Sequence, residues 1–196
     1  MPDALPLFLH LPGPGAPKPT TRDVAKAVKL GGAAALTQAE RRADEARYQK
    51  VTCRSALNRV EGMPFRWTLN PYRGCTHGCH YCFARRYHTQ FEMNADDEFA
   101  SVILVKHNLV EVLTRELDRP SWTREQVAVG TATDPYQPIE GHYRLTRGAI
   151  GALTRGRTPF GLVTKGPMVV RDIDMLLEHS RAAACTIYMS VPTVDE

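Results

Sequence analysis

At 196 residues, with 43% hydrophobic residues and a formal net charge of +4, the chain is long enough for one cored domain plus an appendage. No apolar run approaches the length of a membrane span, which argues against a membrane partner, and no secretory signal is expected. Residues 1–50 carry eight Lys/Arg against five Asp/Glu, so most of the positive charge sits there and the remainder offers no broad nucleic-acid-binding face.

In chain order, residues 1–20 hold six prolines and read as an unstructured or extended tail. A helix is expected from Arg22 to Leu30, ended by Gly31-Gly32, and a second from Ala33 to Gln49, rich in Ala, Arg and Glu. Val51 to Leu57 reads as extended, and Phe65 to Leu69 alternates apolar and polar residues as a strand does. A cysteine-rich loop follows, and Phe83 to Tyr87 can begin a short helix. Val102 to Val105 has the pattern of a strand buried on both faces. Asn108 and Glu111 suggest a capping box for a helix over Leu109 to Leu117. The alternation then continues. Val127 to Val129 is a strand, Gly130 to Tyr143 a long loop, and Thr146 to Arg155 a helix weakened by Gly148 and Gly151. Phe160 to Val163 is a strand, Val170 to His179 a helix with Ile173, Leu176 and Leu177 inward, and Thr186 to Met189 the last strand. This is an α/β pattern with a mostly parallel sheet, shared by open sheets and barrels. Polar residues gathered after successive strands (Thr131, Thr133 and Asp134; Thr164 and Lys165; Ser190) favour a barrel or part of one.

The cysteine loop carries the chemistry. Three of the five cysteines, Cys75, Cys79 and Cys82, fall within eight residues, spaced C-x3-C-x2-C. Such clustering is not a disulfide framework, and exposed thiolate clusters persist in a reducing cytoplasm. Three thiolates from one loop can hold a metal or an iron–sulfur cluster with one iron open. Zinc with His77, His80 or His88 as fourth ligand is a second reading, and an inert packed trio a third. Cys53 and Cys185 stand alone and read as packed residues.

From about Val51 to Glu196 the chain resembles the radical S-adenosylmethionine superfamily, in the branch that includes spore photoproduct lyase and its bacterial relatives. Three stretches carry the resemblance: Asn70-Pro71-Tyr72-Arg73-Gly74-Cys75 through Tyr81-Cys82-Phe83-Ala84-Arg85, Gly130 through Pro138, and Leu162-Val163-Thr164-Lys165-Gly166. It implies a partial, incomplete TIM-type β/α barrel over 51–196, preceded by a disordered or helical N-terminal extension over 1–50. It implies a 4Fe–4S cluster on Cys75, Cys79 and Cys82, with S-adenosylmethionine on the open iron. One electron from a flavodoxin- or ferredoxin-type donor would then release a 5′-deoxyadenosyl radical for hydrogen abstraction. Tyr81 and Phe83 would border the adenine, and Thr131, Thr133 and Asp134 would stand near the amino group. Lys165 would pair with the carboxylate, with Ser190 at the same end. The Gly-Gly-Glu of many members is absent here.

The substrate stays open. DNA photoproduct repair is an alternative, opposed by the near-neutral core. A non-enzymatic zinc-stabilised binding module with a basic arm is another. The relatives continue into further strand–helix units, so the chain is expected to be an incomplete or inactive fragment, with an unpaired edge at Thr186 to Met189.

Overall fold

The structure is a computed structural model and describes residues 33–87 and 98–191. The proline-rich tail, the helix expected over 22–30, His88 and the last five residues lie outside the described residues. A helix, α1 (Ala33–Glu45), leads into strand β1 (Arg47–Val51). Then come β2 (Leu57–Arg59), β3 (Trp67–Leu69), β4 (Tyr72–Arg73), a 3-10 turn (Phe83–Tyr87), α2 (Glu98–Ser101) and β5 (Val102–Lys106). The rest alternates: α3 (Leu109–Leu117), β6 (Val127–Val129), α4 (Glu140–Tyr143), α5 (Leu145–Arg155), β7 (Phe160–Thr164), a 3-10 segment (Pro167–Asp172), α6 (Ile173–Ala182) and β8 (Cys185–Met189).

The fold is mixed α/β. Five strands form one sheet in the order β2-β3-β6-β7-β8, and three form another in the order β1-β5-β4. Parallel pairing joins β3 to β6, β6 to β7, β7 to β8 and β1 to β5, while β2/β3 and β4/β5 are antiparallel. The described strands do not close into a barrel. The chain passes between the sheets at Asn70-Pro71. There Gly130 N donates to Leu69 O on one side and Lys106 N to Pro71 O on the other.

Expectation and structure part at several places. The helix expected to Gln49 stops at Glu45, and Arg47–Val51 pairs in parallel with Val102–Lys106. Helix-forming composition yields to a ladder along a buried strand, which pairs the inward-facing backbone groups of this edge strand in register over five residues. The expected division at residue 50 therefore falls inside a strand. Asn108 does not cap α3 through its side chain. Its amide instead brackets Cys53, accepting from Cys53 N at 2.9 Å and donating to Cys53 O at 3.0 Å. In α6, Leu176 and His179 face inward and Leu177 is 51% exposed, because the helix starts at Ile173 after a 3-10 turn and rotates that residue outward.

Apolar side chains of β5, β6 and β7 meet those of α3 and α5 in one core that includes Ile103, Val105, Leu113, Val129, Leu153 and Leu162. Helix α5 packs between α3 and α6. The two glycines that weaken α5 serve that packing. A Cβ on Gly148 would lie 2.6 Å from Val110 Cγ2, and one on Gly151 3.1 Å from Met175 Cε. Cys53 and Cys185 are partly buried against this core. Strand β8 pairs only with β7 among the described residues. No described helix is long and apolar enough to cross a membrane.

Candidate functional site

The cysteine loop leaves β4 at Gly74, whose φ is +79°. A Cβ there would sit 2.6 Å from Val102 O, so only glycine allows this turn against β5. The loop then curls through Gly78 N to Cys75 O at 3.0 Å and Cys82 N to Cys79 O at 3.2 Å. Two arginines hold its carbonyls. Arg85 donates to Cys79 O at 2.9 Å and Gly78 O at 2.7 Å, and Arg42 of α1 donates to His77 O at 2.7 Å. The N-terminal helix thus braces the loop.

The segment after β6 clasps the loop from the other side. Thr133 Oγ1 donates to Gly74 O at 2.7 Å, and Gln137 Nε2 donates to Thr133 Oγ1 at 3.0 Å. Gln137 Oε1 accepts from Thr76 N at 3.2 Å. Asn70 Oδ1 accepts from Ala132 N at 2.8 Å, and its amide donates to Thr131 Oγ1 at 3.2 Å. Thr133 is buried and spends its hydroxyl on the loop, whereas Thr131 is only half-buried.

Asp134 is buried and committed inward. It accepts from Thr164 Oγ1 at 2.6 Å, Tyr136 N at 2.9 Å and Lys165 N at 2.7 Å. His77 Nε2 lies 3.3 Å from its Oδ2. Burial pushes this carboxyl up, but the His77 charge and the Thr164 and Lys165 donors outweigh burial and hold it below the ordinary carboxylate range. These bonds tie the C-terminal ends of β6 and β7.

Lys165 extends the edge to β8. Its Nζ donates to Ser190 Oγ at 2.8 Å and to Tyr81 Oη at 3.2 Å, and lies 5.7 Å from the centre of the Tyr81 ring. Tyr81 is otherwise well exposed, and Phe83 stands half out of the surface, edge-on to Tyr87. The tertiary fold therefore brings the three sequence stretches to one edge of the parallel strands.

Cys75 is buried, Cys79 and Cys82 are half-buried, and all are free thiols. Burial pushes the Cys75 and Cys82 thiols up, and for Cys75 the Asp134 charge adds to this. Among the described residues, no three His, Cys, Asp or Glu side chains converge closely enough to hold one metal ion. His77 points at Asp134, and His80 is exposed. A single zinc needs its donors on one atom, whereas a cluster spreads thiolates over separate irons. One buried polar atom next to Cys75, Thr76 Oγ1, has no hydrogen-bond partner among the described residues, whereas His77 Nε2 faces Asp134 at 3.3 Å. Three thiols on one loop have the donor chemistry of either group, and their spread among the described residues does not bring them onto one ion.

Sequence reading missed the supports. Gln137 and Asn70 lie within the quoted stretches, but only the fold shows what they hold. It also missed a buried network beneath the loop. Tyr72 Oη donates to Glu140 Oε2 at 2.5 Å, and Arg171 donates to both Glu140, at 3.0 Å, and Asp172, at 2.8 Å. Tyr136 Oη donates to Asp172 Oδ2 at 3.1 Å. Glu140 and Asp172 are both fully buried. Pairing needs all of these residues at once, so no local signal marks it.

The chain is similar to an uncharacterised protein of Mycobacterium tuberculosis, with 44% identity over 151 residues, covering 76% of this chain and 44% of that protein. A Mycobacterium bovis protein matches to the same extent. An uncharacterised protein of Methanocaldococcus jannaschii is 24% identical over 131 residues, covering 67% of this chain and 47% of that protein. The chain thus spans about half the length of the curated relatives it matches. No family model matches the chain, and no solved structure does.

Proposed function

We propose that this chain is part of a radical S-adenosylmethionine enzyme of the spore photoproduct lyase-like branch. In this reading Cys75, Cys79 and Cys82 hold a 4Fe–4S cluster, and the two sheets belong to an incomplete TIM-type barrel. The observation that carries the reading is that the thiol loop, the clasp at 131–137 and the Lys165–Ser190–Tyr81 group share one edge of the strands. A bound cluster, reduced by an external one-electron donor, would supply the electron for cleaving S-adenosylmethionine.

The chain's own residues bind and position. Lys165 offers a cation to a carboxylate, and Ser190 fixes where that cation sits. Thr131, half-buried, offers a hydroxyl to an amino group. Thr133 and Asp134 act one step back, holding the loop and the Lys165 backbone. Tyr81 and Phe83 present ring surface for an adenine. Arg42 and Arg85 keep the loop carbonyls engaged, so the thiols keep their spacing.

The test is anaerobic purification and iron reconstitution of the chain. Broad brown absorbance with about four irons and four sulfides per chain supports the reading. A colourless protein holding zinc, or no metal after reconstitution, ends it.

A further inference from the structure

A cavity of about 460 Å³ opens beside the cysteine loop, walled by β2 and the loop after it, the start of the cysteine loop, the 3-10 turn and Thr131-Ala132. That volume lies within the range of small-molecule sites. Its charged lining residues are Arg59, Arg73 and Lys106, with no aspartate or glutamate among them. Its apolar lining includes Met63, Phe83 and Tyr87, three of the five exposed large hydrophobic residues among those described. Ligand pockets are lined mainly by apolar and aromatic side chains with a few placed polar groups, and this lining has that composition.

Lys106 sits at the floor and is only 6% exposed. Its Nζ makes one hydrogen bond, to Asn70 O at 2.8 Å, and no carboxylate lies within ion-pair distance among the described residues. An ammonium carries three donors, so two are unused among the described residues. Burial, then the neighbouring Arg73 charge, pushes this lysine down to about 8, while Cys53 and Glu116 act in the opposite direction. A buried ammonium with no counter-anion beside it costs stability. Arg59 at the rim is exposed and has no ion pair among the described residues.

We propose that this cavity binds an aromatic organic anion, a phosphate or a carboxylate, with its charge on Lys106 and Arg59 and its ring against Phe83 and Tyr87. Binding itself does not depend on a cluster. That the anion is the substrate rests on the proposed function, because the cavity adjoins the thiol loop at Gly74.

The experiment titrates the full chain, with and without reconstituted iron, by calorimetry. The probes are phenyl phosphate, phenylacetate, benzyl alcohol and inorganic phosphate. At least one aromatic anion should bind about tenfold more tightly than benzyl alcohol, consistent with one charge-assisted contact. Tighter phenyl phosphate assigns a phosphate ligand, and tighter phenylacetate a carboxylate. Arg59→Ala and Phe83→Ala should each weaken binding about threefold to tenfold, since each removes one contact. Lys106→Met should erase the preference for anions. Should Lys106→Met fail to fold, the Arg59→Ala and Phe83→Ala pair carries the test. Equal affinity for benzyl alcohol and both anions, or unchanged affinity in both surface variants, overturns the proposal. Anion binding by a colourless protein keeps the cavity and drops the cluster. A brown protein that ignores every anion does the reverse.

Discussion

Lys165 Nζ donates a 2.8 Å hydrogen bond to Ser190 Oγ, joining the C-terminal ends of two neighbouring parallel strands. The same ammonium reaches Tyr81 Oη, across 84 residues of sequence. A lysine held by two hydroxyls has no carboxylate within ion-pair distance among the described residues, so its charge can meet an anionic group at this edge.

Lys165→Ala is expected to weaken S-adenosylmethionine binding by about 1–3 kcal/mol and leave the cluster absorbance unchanged. Ser190→Ala should cost less, because it removes only the positioning contact. Anaerobic equilibrium titration measures both. Equal affinity in Lys165→Ala returns this lysine to a surface role.

Each of Cys75→Ala, Cys79→Ala and Cys82→Ala should abolish iron loading, while Cys53→Ala and Cys185→Ala retain it. Only the first three share the braced loop, and the other two pack on the core. Iron and sulfide counts after reconstitution decide the matter. Full loading of Cys79→Ala would sink the assignment.

Asp134→Asn should destabilise the fold by about 2–4 kcal/mol, since an amide presents a donor where the carboxylate accepts from Thr164, Tyr136 and Lys165. The pH dependence has a definite sign. The folded carboxyl sits below its ordinary value, so its stabilisation is present above the unfolded value and is lost as pH falls through the folded one. Wild type should therefore lose stability more steeply than Asp134→Asn on acidification below about pH 4. Urea midpoints across acidic buffers test this, and parallel curves would place the carboxylate's effect elsewhere.

The two glycines of α5 should respond differently. Gly148→Ala gains roughly 1 kcal/mol of helix propensity, but its methyl meets the stiff, β-branched Val110 at 2.6 Å, and a net loss of about 1–2 kcal/mol is expected. Gly151→Ala meets the flexible end of Met175 at 3.1 Å, which can shift, so the change should be neutral or stabilising. Thermal melts of the two variants compare them, and equal shifts would refute the packing account.

The sequence by itself determined what depends on neighbours along the chain. Cysteine spacing is local, so the thiol loop was visible before any fold. Burial on both faces marks a strand locally, and Val102–Lys106, Val127–Val129 and Phe160–Thr164 stand within a residue of where their aliphatic runs put them. Helix Leu109–Leu117 follows from leucines spaced by four. What the tertiary structure alone decided depends on distant partners. Arg47–Val51 has helix-forming neighbours and becomes a strand because β5 offers it a ladder. Asp134 looks from the sequence like a ligand for an ammonium, yet its carboxylate is consumed by donors up to 31 residues away. Lys106 looks like the polar end of a strand, and only the fold buries it at the floor of a cavity. Propensity and spacing act over a few residues, whereas burial and charge compensation are settled by whichever groups the folded chain brings together.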